Sequence, residues 1–97
     1  MFVHVVKSLS EEYVFPFEKI IRNDDKIVFI PKGFEGNIAD LVNESSLKFN
    51  TKEDAKKVFE LALCFMESNA VVFDVDLQNY YNFMKVVRSR LDAIKKG

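Results

Sequence analysis

The sequence predicts an α+β fold: a mainly antiparallel sheet of four to five strands with two principal helices packed on one face. Three observations carry that expectation. The first third concentrates β-branched and aromatic residues in short runs, two later segments repeat apolar residues at spacings of three and four, and Ala70 to Asp76 alternates apolar and polar positions. At 97 residues the chain has room for one hydrophobic core, so a single domain over 1–97 is expected.

Met1 to Lys7, rich in Val with Phe2, reads as the first strand, and Glu12 to Phe17 as the second, with Pro16 marking an edge or a bend. Asn23, Asp24 and Asp25 lie between Lys19–Arg22 and the run Lys26–Ile30, which predicts a hairpin closed at Asp24. Pro31 and Gly33 end that strand. Ile38, Leu41 and Val42 at helical spacing after Asn37 predict a short capped helix within Gly36–Ser46, and Ser46–Phe49 alternates as a short strand.

The next helix, expected over about Lys52–Ser68, has the clearest start signal in the chain: Thr51 at the N-cap and Asp54 three residues on, in the manner of a capping box. Ala55, Val58, Phe59, Ala62, Phe65 and Met66 share a face that Leu61 and Leu63 widen, while Lys56, Lys57, Glu60, Cys64 and Glu67 point away. So wide an arc predicts a helix wedged between the sheet and either a second helix or another subunit. Asn69 suits the C-terminal cap. After the strand Ala70–Asp76 a final helix, about Leu77–Lys95, carries Tyr80, Phe83, Met84, Val87, Leu91 and Ile94 on one stripe. If the strands flanking the first long helix are parallel, Ser46–Asp76 forms a right-handed crossover.

The order of elements over Ser46–Ile94 resembles that of the small dimerising subunit of the KEOPS tRNA-modification complex. That family places a two-stranded hairpin between its helices, where Ala70–Asp76 has room for one strand, so no residue role is carried over from it.

Fourteen basic and fifteen acidic side chains leave a net charge of −1, which argues against a non-specific nucleic-acid binder and confines any such role to a local patch. The lone Cys64 excludes an intramolecular disulfide, and Met1–Lys7 lacks the features of a secretory signal, so a cytoplasmic location is expected. The longest apolar run, Leu61–Met66, falls far short of a membrane span.

No catalytic or cofactor motif stands out, and no cofactor is expected. Asp74 and Asp76 form an Asp-x-Asp pair at a strand end, a pattern that can hold Mg²⁺ through oxygen ligands, but alternation alone places both on a solvent face and Asp76 suits a cap. His4 is the only histidine, and Cys64 or Asp74 could meet it in space; a strand position facing solvent or capped by a neighbour is the preferred account. Pro31–Asn37 matches no phosphate-loop spacing. On the last helix Tyr81, Lys85 and Arg88, with Lys95 and Lys96 beyond, form an aromatic and basic flank suited to nucleic acid, interrupted by Asp92.

The expectation from sequence is therefore a small non-enzymatic regulatory or adaptor protein that binds another protein, as a homodimer, through the wide face of the first long helix or the last helix. Phe17 and Phe34, set beside a proline and between two glycines, are candidate contact residues together with Leu61, Leu63 and Cys64. The other eight of the ten phenylalanines are assigned to the core. Two alternatives are a nucleic-acid-associated factor using the basic flank and a metal-dependent enzyme built on Asp74 and Asp76.

Overall fold

The computed structural model describes residues 1–97. The chain runs β1 (Phe2–Ser8), β2 (Glu11–Asn23), β3 (Lys26–Pro31), α1 (Ile38–Ser45), β4 (Leu47–Lys48), α2 (Lys52–Glu67), β5 (Val72–Asp76) and α3 (Tyr80–Lys96). The five strands form one mostly antiparallel sheet in the order β4-β3-β2-β1-β5, in which only β1 and β5 are parallel. The α+β class and the element order are those read from the sequence. No helix is long and apolar enough to cross a membrane.

β2 organises the sheet. Glu11–Pro16 pairs with β1 on one side and Phe17–Asn23 with β3 on the other, so the strand expected at Glu12–Phe17 continues past Glu18 into the first arm of the hairpin. The register shifts between Phe17 and Lys19, leaving Glu18 as the extra residue of a bulge. Because side chains alternate along a strand, one extra residue reverses the phase. Tyr13, Phe15 and Phe17 face the core before the bulge and Ile20 faces it after. The hairpin closes as expected, with Asp24 at φ 60°.

The core is a cluster of strand residues such as Val3, Val5, Ile27, Phe29, Phe73 and Val75 against Ala55, Val58, Leu61 and Ala62 of α2 and Met84, Val87 and Leu91 of α3. α2 lies across β2 and β3 and against α3. Most of its wide apolar arc is thereby covered within one chain, by the sheet on one flank and α3 on the other, with Leu63 left exposed. The conditional crossover does not form: β4 and β5 occupy opposite edges and run in opposite directions, and the parallel neighbour of β5 is β1.

Local signals place the helix ends. The Asn37 side chain accepts from the N–H groups of Ala39 and Asp40, and the Thr51 hydroxyl accepts from the Asp54 N–H at 3.0 Å. The box is not closed from the other side, because the Asp54 carboxylate accepts the Tyr80 hydroxyl instead. Thr51→Ala is expected to destabilise the fold by about 1 kcal/mol, the usual effect of losing one cap, read from the urea midpoint. Asn69 (φ 61°) takes the left-handed conformation after α2, and Ala70 N–H returns to the Phe65 carbonyl. α3 begins three residues later than expected: Asp76 accepts from the N–H groups of Gln78 and Asn79 and holds a turn ahead of the helix.

Candidate functional site

Both long helices lie on one side of the sheet, which leaves the other side of β2, β1 and β5 open. The register sets its residues in three rows across these strands: Pro16–Phe2–Val72, Val14–His4–Asp74 and Glu12–Val6–Asp76. Of the apolar members Phe2 is exposed at 42%, Val14 at 59% and Val72 at 39%, while Val6 is half-buried. Phe2 is therefore not a core residue, contrary to its assignment from the strand pattern. Alternation buries Val3 and Val5, and Phe2 takes the other phase.

His4 stands at the centre of this face between two carboxylates. Its Nε2 lies 2.5 Å from Glu12 Oε2 and its Nδ1 2.8 Å from Asp74 Oδ1. A neutral imidazole has one donor, whereas two flanking carboxylates call for two, so the geometry suits the imidazolium. The hydrogen bond to Glu12, followed by that to Asp74, raises the His4 pKa above its ordinary value of 6.5. Between that ordinary value and the raised one the folded chain binds more protons than the unfolded chain. The contribution is thus fully present below about pH 6.5 and is lost as pH rises through the folded value. Urea midpoints taken from about pH 5 to about pH 9 are expected to fall across this window and to lose that component of the slope in His4→Gln. An unchanged slope in the variant refutes the coupling.

The remaining candidate residues are dispersed. Phe17 is buried at 4% with its ring edge-on to Phe29, and Leu61 is buried at 3%, so neither offers a surface to a partner. Phe17 is drawn inward because it is the last residue before the bulge and keeps the inward phase of Tyr13 and Phe15. Phe34 is half-buried, its ring folded over Gly36, where an added Cβ would lie 2.7 Å from it. Leu63 is exposed at 38%, and half-buried Cys64 borders a shallow depression with Phe65 and Ile94.

On α3, Tyr81 is exposed with Lys85 Nζ 5.4 Å from its ring centre. Two of the cations are engaged: Arg88 lies 3.9 Å from Asp54 and Lys95 4.0 Å from Glu60. Lys85, Lys96 and Asp92 line the same open depression as Arg88, so the acidic interruption read from sequence is present in space. Asp74 and Asp76 share the open face of β5, the first bound to His4 and the second to backbone amides. No group of three or more His, Cys, Asp and Glu side chains is arranged to hold a metal ion.

A second feature lies at the sheet edge. A groove of about 340 Å³ runs between β5 and α3, lined by Phe65, Phe73, Asn82, Phe83, Val86 and Arg90 among others. Asn82, Val86 and Arg90 recur every four residues beside the buried stripe of α3. Val86 is apolar yet 50% exposed there.

Comparison with protein families, with curated proteins and with solved structures finds no match to the chain.

Proposed function

We propose that this protein is a small non-enzymatic protein-binding module that self-associates through the open face of its sheet. The observation that carries the reading is the exposed row Pro16–Phe2–Val72 beside Val14, on the side of β1, β5 and the first half of β2 that faces away from the core. A sheet is stable when its apolar faces are buried, and a short chain buries a smaller share of its surface than a long one. A second copy supplies the missing layer without any further sequence. His4 offsets part of the charge of Glu12 and Asp74, so the rows that meet across such an interface carry less uncompensated charge than the carboxylates alone imply.

The partner surface in this reading moves from the helices to the sheet, because α2 is occupied by its own sheet and by α3. Size-exclusion chromatography with light scattering tests it. The expected result is a dimer mass that shifts to monomer in Val14→Lys, a change at a 59% exposed position that leaves the core untouched. A chain that stays monomeric at high concentration removes self-association from the proposal.

A further inference from the structure

β5 ends the sheet, so one of its two hydrogen-bonding sides meets no strand. Two bonds identify the residues that own it. The Phe2 N–H donates to the Val71 carbonyl and the Leu77 N–H donates to the Val6 carbonyl, each at 2.8 Å. In a parallel ladder alternate residues face the neighbour, so residues 71, 73, 75 and 77 address β1. Val72, Asp74 and Asp76 turn their N–H and C=O groups outward, and no backbone hydrogen bond outside the regular elements involves them. This free edge borders the groove between β5 and α3.

From this edge and groove we infer that the protein binds an extended peptide as a sixth strand on β5, with apolar side chains entering the groove and basic side chains beside Asp74 and Asp76. Strand addition couples backbone bonds, which give affinity, to pockets for alternate side chains, which give specificity. Alternation divides the added strand in two. Side chains on the groove side lie next to Phe73 and meet Phe65, Phe83 and Val86, while those on the open side lie next to Val72, Asp74 and Asp76.

Charge decides between a foreign peptide and a second copy of β5. Antiparallel pairing of β5 with itself in full overlap sets Asp74 opposite Asp74, and a shift toward the C-terminal end sets Asp74 opposite Asp76. Like charges directly opposite each other destabilise a strand pair. A strand with lysine or arginine at those positions is attracted instead, and the Asp74 side chain is 72% exposed to meet it. The inference rests on the protein-binding half of the reading above and is independent of self-association through the open face.

The experiment is an amide NMR titration of the full chain with two end-blocked heptapeptides, one alternating lysine and valine, the other glutamate and valine. The lysine peptide is expected to shift the amides of Val72, Asp74 and Asp76 and to slow their exchange with solvent, while the glutamate peptide does neither. Val86→Lys, at an exposed groove position, is expected to weaken binding about tenfold or more by placing a charge where an apolar side chain must enter. Val14→Lys is expected to leave the titration unchanged even where it abolishes the dimer. The inference is overturned if millimolar lysine peptide leaves the three amides unmoved, if both peptides bind alike, if the shifts fall on the open face, or if the edge amides become protected by raising protein concentration alone.

Discussion

Phe73→Ala is expected to destabilise the fold by about 3–5 kcal/mol, the range for removing a buried phenylalanine. The ring is 1% exposed and lies 5.1 Å from Phe65, edge-on, and 6.2 Å from Phe29, so it joins α2, β3 and β5 in one aromatic contact. A truncated side chain removes the contact that links those two rings and leaves a cavity between them. Domains of this length are stabilised by about 5–15 kcal/mol in total, so the loss consumes much of the margin. Urea unfolding followed by circular dichroism measures it. Phe73→Leu, which refills most of the volume, is expected to recover more than half, and a loss below about 1 kcal/mol for alanine means the ring is not packed as described.

Tyr80→Phe is expected to be the second-largest effect, about 1–3 kcal/mol for one hydroxyl. That oxygen accepts from the Asn50 N–H at 2.9 Å, and the hydroxyl donates to Asp54 Oδ2 at 2.6 Å. It thereby ties the start of α3 to the loop before α2. The Asp54 side chain is only 19% exposed, so the lost partner is poorly replaced by water. Phenylalanine preserves the ring contact with Phe49, whose centre is 6.2 Å away, and isolates the contribution of the hydroxyl. Burial and then the bond to Asp54 push the Tyr80 pKa from 10.0 up to about 12. The folded chain holds this proton after the unfolded chain has lost it, so the Tyr80 contribution to stability falls between about pH 10 and about pH 12. Ultraviolet titration is expected to show a late-ionising tyrosine that is missing in the variant.

The sequence is most legible where a local rule acts alone. Asn37, Thr51, Asp24 and Asn69 each do what their backbone chemistry favours, and the stripe of α3 buries Met84, Val87 and Leu91 as its spacing requires. It is least legible where one residue answers to two elements. Asp54 has the right position to close a cap, yet its carboxylate is taken by Tyr80, which is 26 residues away. Phe17 looks like a loop aromatic beside proline, but Glu18 inserts a bulge that lets β2 continue and carries Phe17 into the core. The sequence offers Asp74 to His4 only as one of two residues, with Cys64, that could meet it in space. It does not offer Glu12, because that pairing depends on the register of β1 against β2. The groove at β5 required knowing which strand ends the sheet, and strand order leaves no periodic mark in a sequence.

The parallel pairing of β1 with β5 has a temporal consequence. His4 and Asp74 are separated by 70 positions, so the neighbour that completes β1 is synthesised long after it. β1, β2 and β3 can zip together by nearby turns, but the growing ribbon then shows a bare, valine-rich flank until β5 arrives. Contacts that close such long loops slow folding and prolong exposure of unpaired strands. During biogenesis the vulnerable edge of this protein is therefore β1, and β5 is the strand that retires it.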